Sequence, residues 1–288
     1  MSSDSIQAIL QLHGKQLEAA LNLDPNSARI EVQCLLQAVL KVNRAYLLTH
    51  PEQSLDINQY ERYMALYERR TSGEPIAYLL GEREFYGLTF KVSPATLIPR
   101  PESELLVELA LQRIPQKGEC SVLDMGAGSG AIALSIAHAR PSAEVVAVDA
   151  SAAALEVAQL NMLQLGLGNV RLFHSDWFSA LQGERFDMIV SNPPYIAVND
   201  EHLAQGDVRF EPHTALVSGI DGLDDIRRIA AQAKKHLNVN GWLLLEHGYD
   251  QAAQVRELLQ QAGLAGIFSA RDLAGIERVS GGYMIVSV

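Results

Sequence analysis

Asn192-Pro193-Pro194-Tyr195 is where this chain concentrates groups able to do chemistry. It follows an apolar run, Phe186–Ser191, that reads as a β-strand. A Pro-rich turn closing a strand is common and needs no function. Two things argue for more: ligands of open α/β sheets bind at the carboxyl ends of strands, and the segment supplies what one difficult reaction requires. An amide or exocyclic amino nitrogen is a poor nucleophile, because its lone pair is delocalised. To attack an electrophilic methyl carbon it must be held by both N–H bonds. The side-chain oxygen of Asn192 and the backbone carbonyl of Pro193 are two such acceptors. Pro194 restricts where that carbonyl points, and Tyr195 offers a flat face to a planar group. Positioning would carry the rate, and acceptors facing the growing positive charge would stabilise the transition state. No strong base is required, because the nitrogen becomes acidic once methylated.

A second constellation is Asp124-Met125-Gly126-Ala127-Gly128-Ser129-Gly130, at the end of a predicted strand and the start of a predicted helix. Glycines at such a turn let a ligand approach the backbone and meet helix N-terminal amides. Gly126-x-Gly128-x-x-Ala131 also satisfies the dinucleotide fingerprint, so the loop alone does not choose a cofactor. Nor does Asp149, which ends the next strand: both cofactor classes place a carboxylate there for ribose hydroxyls, and an ordinary helix N-cap is a further reading. After the third strand, Asp176 could accept from an adenine amino group and Trp177 could lie on the base, with plain packing of the Trp as the alternative. Three features favour S-adenosyl-L-methionine, spent as S-adenosyl-L-homocysteine, over a dinucleotide. The carboxylate of Asp124 suits a cationic amino-acid portion and would repel a pyrophosphate. The final strand is predicted to be antiparallel, and the tetrapeptide closes the fourth strand.

These residues need elements to hold them. From Ser121 to the end, strands at 121–125, 144–149, 170–174, 186–191, 241–246, 267–270 and 283–286 alternate with helices at 131–138, 151–165, 223–237 and 251–262. That pattern predicts a Rossmann-like, mostly parallel seven-stranded sheet with helices on both faces. Only a loop separates the last two strands, so the last runs antiparallel. Before it, Phe85 to Val92 alternates with a turn at Gly87, Ile98-Pro99-Arg100-Pro101 is a stiff connector, and residues 103–112 read as a helix. Residues before about 72 carry apolar positions at helical spacing, with Asp24-Pro25 as a cap and Tyr60, Tyr63, Met64 and Tyr67 as a stripe better suited to a core than to a ligand. The expected domains are a small helical bundle at 1–81 for substrate recognition, a hairpin linker at 82–102 and a catalytic domain at 103–288.

The bulk composition sets limits. The 288 residues are 48% hydrophobic and 20% charged, as in an ordinary folded protein. A net charge of −11 argues against grip on nucleic acid by phosphate contacts alone. No apolar run spans a membrane, the first residues do not resemble a signal peptide, and a cytoplasmic location is expected. The two cysteines, Cys34 and Cys120, are too far apart for a zinc ribbon, and no metal is expected. His174, His213, Glu246 and His247 have no role that spacing assigns, and 196–219 is a long loop with the placement of a lid.

Together, Asp124–Gly130, Asp149, Asp176-Trp177-Phe178 and Asn192–Tyr195 resemble the motif series of the HemK-type protein-(glutamine-N5) methyltransferases. The likeness extends to Gly73–Gly81, to Leu97–Glu104 and to Gly206–Pro212, and is strongest to the branch acting on class 1 peptide chain release factors. It implies a class I methyltransferase fold behind a helical domain that helps bind the release factor, and transfer to the glutamine of that factor's Gly-Gly-Gln tip. It puts Gly126–Gly130, Asp149, Trp177 and Asn192 around the cofactor and Asn192–Tyr195 around the glutamine. Ala127 and Ser103 stand where the family often has Thr. Rival readings are the ribosomal-protein glutamine methyltransferases, the DNA adenine-N6 methyltransferases, which share the tetrapeptide, an NAD-dependent oxidoreductase and a non-catalytic cofactor-binding module.

Overall fold

Helix caps organise the first part of the chain. In the computed structural model, which describes residues 4–285, Ser5 caps α1 (Ile6–Leu21) and Asp24 caps α2 (Pro25–Leu40), with Pro25 in the first turn. Asn43 caps α3 (Arg44–Thr49), and Asp56 and Gln59 form a reciprocal capping box at the start of α4 (Ile57–Thr71). A short α5 (Ile76–Leu80) ends at Gly81. The short α3 and α5 span too few residues to show a period, and neither is expected from the sequence. The tyrosine stripe is core: Tyr63 and Tyr67 are buried and stack on His13, whose Nδ1 lies 2.9 Å from the Tyr63 hydroxyl. Residues up to Gly81 form one compact unit that also includes His202–Phe210. Within it the buried Arg70 binds Glu31 through two guanidinium nitrogens, donates to the Gly73 and Glu74 carbonyls and reaches Asp207 at 3.4 Å.

The second unit comprises Glu82–Glu201 and Glu211–Val288. It includes the hairpin of β1 (Glu82–Phe85) and β2 (Leu88–Lys91), whose Phe85 and Phe90 are buried with α6 (Glu104–Arg113) in one apolar cluster. The elements that follow are β3 (Cys120–Met125), α7 (Ala131–Ala139), β4 (Ala143–Asp149), α8 (Ala152–Leu165), β5 (Val170–His174) and β6 (Phe186–Ser191). Then come α9 (Asp224–His236), β7 (Leu237–Glu246), α10 (Ala252–Gln261), β8 (Ala265–Arg271) and β9 (Glu277–Tyr283). The strands form one seven-stranded sheet, ordered β5-β4-β3-β6-β7-β9-β8. All pairings from β5 to β7 are parallel, and β9 is antiparallel to both neighbours. Apolar clusters cover both faces, as a parallel sheet requires.

Two strands depart from expectation. β7 starts at Leu237 instead of 241, because Asn238–Gly241, which reads as a turn, is absorbed as an irregularity with Asn240 in left-handed geometry. The last strand lies at 277–283, not 283–286; Val286 itself falls outside the described residues. Gly281-Gly282 suggests a break, yet both sit inside β9. A Cβ on Gly281 would lie 2.5 Å from the Leu244 side chain and 2.7 Å from the Leu243 carbonyl, so the glycines exist for close strand approach.

Asn161 of α8 ties hairpin to sheet. Fully buried, it accepts from the Lys91 amide and donates to the carbonyls of Lys91 and Ser129. Asn161→Ala would leave these backbone groups unpaired, and each buried orphan costs about 1–3 kcal/mol. Urea unfolding should show a loss of at least about 2 kcal/mol; unchanged stability would mean the hairpin is held by its phenylalanines alone.

Candidate active site

The sheet order reverses between β3 and β6, and the segments following these two strands flank that crevice. Gly126 follows β3 with φ 76°, Gly128 has φ 55° and Gly130 has φ 83°, geometry in which a side chain would be strained. The Gly126 and Ala127 amides donate to the Val148 carbonyl, and the Gly130 amide to that of Ala127, which folds the loop back on itself. Asp149, at the end of β4, accepts from the Gly128 amide through one carboxylate oxygen and from the Ser151 amide through the other, each at 2.8 Å. The helix cap here is Ser151, not Asp149: the Ser151 hydroxyl accepts from the Ala154 amide. Asp149 instead braces the glycine loop.

A cavity of about 430 Å³ opens at this edge, a size suited to a small-molecule cofactor. Gly126, Gly128, Asp149, Asp176, Trp177 and Asn192 all line it. Trp177 is half-buried with φ 49°, and its indole N–H donates to Asp225 at the start of α9, 3.1 Å away. Asp225 also accepts from the Ser218 hydroxyl, so the ring's plane is set from outside its own loop. Asp176 is exposed and paired with Arg228 at 2.7 Å. Phe178 points away, into the core, stacked on His236.

Asp124, Gly130, Pro193 and Tyr195, among the predicted residues, line neither this cavity nor the smaller one beside it. Asp124 is the most withdrawn in chemical terms. It lies beneath the glycine loop, 1% exposed, and does not line the cavity. One oxygen accepts from the Ala133 amide in the first turn of α7, and the other has no partner. Burial pushes its carboxyl up to about 7, with the charge of Asp149 adding to the rise.

Asn192 is the point where two spaces meet. A second, smaller cavity of about 50 Å³ lies against Pro99, Arg100 and Ser103 and shares Leu97, Gly126, Gly128 and Asn192 with the larger one. Ala127 and Ser129 line only this smaller space. The Asn192 amide nitrogen donates to the Ser103 hydroxyl at 3.0 Å, while its side-chain oxygen is buried with no partner. Behind it, the Ser191 hydroxyl donates to the Met125 carbonyl at 2.6 Å and locks β6 to β3. Pro193 is buried, Pro194 lines the larger cavity, and the Tyr195 carbonyl accepts from Gln251. Burial, with the carboxylate of Glu246 beside it, pushes the Tyr195 phenol well above its usual range. The connector before α6 is pinned by Glu211, whose fully buried carboxylate pairs with Arg100 and accepts from the Ile98 amide.

Asp225 and Asn161 escape a reading of motifs, and the motifs that contain Ser103 and Glu211 do not show what these two bind, because each acts through partners more than 30 positions away. For Asn161 the only signal is a polar type where the helical period calls for an apolar one. The loop at 196–219 is closed at its base by pairing of Ile196 with Val217.

Residues 10–81 match the family described as PrmC N-terminal domain, and residues 102–208 the one described as Methyltransferase small domain. The release factor glutamine methyltransferase of Xylella fastidiosa (strain Temecula1) is 53% identical over 254 residues, covering 88% of this chain and 92% of that protein. That of Pseudomonas aeruginosa is 52% identical over 89% of this chain and 93% of its own, and that of Escherichia coli (strain K12) is 48% identical over 88% and 91%. The chain belongs to the release factor glutamine methyltransferase family. The fold agrees: a 16S rRNA N2 G1207 methyltransferase from T. thermophilus, solved with AdoMet and guanosine, superposes with a TM-score of 0.54 at 24% identity over 70% of this chain and 49% of that one. The sheet with one reversed strand is thus the class I methyltransferase sheet, and the oxidoreductase reading falls away.

The buried carboxyls of this family member give a pH test. Asp124 binds a proton up to about 7 when folded, against 3.8 in its ordinary state. Between those values the folded chain holds more protons than the unfolded one, so this contribution to stability is lost as pH rises through the window. Buried His13 and His247, with lowered pKa, act in the opposite sense below 6.5. The difference between wild type and Asp124→Asn isolates the carboxyl: the variant should gain relative stability in urea unfolding from pH 5 to pH 8, to be read at about those two values. Parallel curves would mean that Asp124 stays ionised.

Proposed function

We propose that this protein transfers a methyl group from S-adenosyl-L-methionine to the side-chain amide nitrogen of the glutamine in the Gly-Gly-Gln motif of class 1 peptide chain release factors. The observation that carries this is the buried, unpartnered oxygen of Asn192 on the wall shared by two cavities. An orphaned acceptor is costly in a fold and calls for a donor from outside. An amide N–H is such a donor.

The residues present fit the cofactor. Gly126 and Gly128 would accept its close approach, Asp149 the ribose hydroxyls, and Trp177 and Asp176 the adenine, while Asp124 holds the first turn of α7 beneath the glycine loop. The remaining glycine-loop positions, Ala127, Ser129 and Gly130, shape the turn. When bound, S-adenosylmethionine supplies an electrophilic methyl group on a sulfonium. Asn192 and the Pro193 carbonyl grip the two N–H bonds of the glutamine amide and turn its lone pair out of conjugation. Tyr195 packs against the amide plane. The two acceptors strengthen their hold as positive charge grows on the nitrogen, and its proton leaves to solvent once the new bond forms.

The tripeptide tip is short, so discrimination among proteins needs a second contact, which we assign to the helical unit. Action in the cytoplasm, at translation termination, follows from that substrate. With labelled methyl donor, intact release factor should be methylated far better than a Gly-Gly-Gln peptide, a large-subunit ribosomal protein or adenine-containing DNA. Label appearing mainly on the ribosomal protein or on DNA would overturn the assignment.

Two substitutions separate binding from chemistry. Asn192→Ala should leave cofactor affinity near wild type while turnover drops by about 10²–10³. Substantial residual turnover would refute the two-acceptor grip. Asp149→Ala should instead weaken cofactor binding by at least about 1.5–3 kcal/mol in calorimetry, since it also releases the Gly128 amide. Unchanged affinity would remove Asp149 from the site.

A further inference from the structure

A side-chain amide presents an acceptor at one end and a donor at the other, and the two ends have nearly the same shape. The role proposed for Asn192 needs the oxygen facing the cavity. In the structure the amide nitrogen donates to Ser103, which leaves the oxygen as the unpartnered end. The difficulty is that a hydroxyl both donates and accepts. Ser103 alone would serve the reversed amide equally well, donating to its oxygen and leaving the NH₂ aimed at the substrate. Two donors would then meet, and the grip would fail.

Something must take the Ser103 proton. Among the described residues, the carboxylate whose ionised form the Ser103 hydroxyl favours is Glu246. Ser191 pairs with Leu245 in the parallel ladder of β6 and β7, so the next residues, Asn192 and Glu246, emerge side by side at the carboxyl edge. Successive side chains alternate faces, so both project to the face opposite Leu245. The turn at Pro101–Ser103 and α6 lie on that face, beside Leu106, Val190 and Leu244. Glu246 is 1% exposed, and one of its oxygens has no partner. Burial pushes its carboxyl up to about 7, while the hydroxyls of Ser103 and Tyr195 and the charge of Arg278 favour the ionised form and Glu102 opposes it.

We infer that Ser103 and Glu246 form a positioning pair that fixes which end of the Asn192 amide faces the substrate. The carboxylate accepts the Ser103 proton, so the Ser103 oxygen is left only its lone pairs for Asn192. The amide nitrogen must turn toward Ser103, and the oxygen must turn toward the cavity. Neither residue touches the reacting atoms. The Tyr195 hydroxyl also favours the ionised form of this carboxylate.

The inference rests on the role of Asn192 and is tested on the full-length chain at about pH 8, where Glu246 is ionised. Ser103→Ala, Ser103→Cys (similar in size, weak as an acceptor) and Glu246→Met are compared by kcat, by KM for the release factor and by cofactor affinity. Each should lower kcat by about 10- to 100-fold, the range for groups that orient a primary ligand, with KM and cofactor affinity unchanged and each variant still folded at the assay temperature. Ser103→Thr, which keeps the hydroxyl, should restore most of the turnover. The Ser103→Ala/Glu246→Met double variant should be no worse than the poorer single one, because both remove one constraint. Full kcat in either single variant, or losses that multiply in the double, would overturn the pair. An active Asn192→Ala would sink the Asn192 role itself; an inactive one beside active Ser103 and Glu246 variants would sink the pair alone.

Discussion

Met125 pairs with Val148 on one side and with Ser191 on the other, and Ser191 pairs in turn with Leu245. This single register decides the site. It brings the residues that follow, Gly126, Asp149, Asn192 and Glu246, into one row along the carboxyl edge of four neighbouring strands. A slip of one residue in any strand would turn its terminal side chain to the opposite face of the sheet. The Ser191 hydroxyl on the Met125 carbonyl and the Gly126 and Ala127 amides on the Val148 carbonyl pin the register where it matters.

Much of this was legible in the sequence. β5 and β6 fall where alternation and apolar runs place them, and the glycine loop and tetrapeptide are readable because each is a contiguous string in which a backbone need and a chemical group coincide. β9 was misplaced because Gly281-Gly282 carries two meanings, a turn or a close approach, and only the neighbours Leu243 and Leu244 settle which. Asp149 offered two roles to the sequence, a ribose contact and a helix cap; the structure gives the cap to Ser151 and both Asp149 oxygens to backbone amides. Ser103 looked like a minor substitution and Glu246 like a strand end. Their relation exists only through strand pairing, helix packing and the direction of one hydroxyl proton, none of which local periodicity encodes.

The chain's excess of acid is spread over a surface where solvent screens it, and it says little about the site. The acids that matter are few and mostly withdrawn from water. Asp149 braces a loop, Glu211 clamps the Ile98–Pro101 connector through Arg100, and Asp225 sets the plane of Trp177. Each converts a charge into a direction for some other group.

Among the described residues of the second unit, the acceptor oxygens buried without partners include those of Asp124, Asn192 and Glu246. In a protein under selection only for folding, such atoms would be replaced, since apolar groups of the same shape cost nothing to bury. Their persistence sets stability against activity within one small region. A population of this gene evolved for heat resistance, with its methylation no longer required, would accumulate its first gains around these three side chains. The same positions would be the last to tolerate change while the activity is kept.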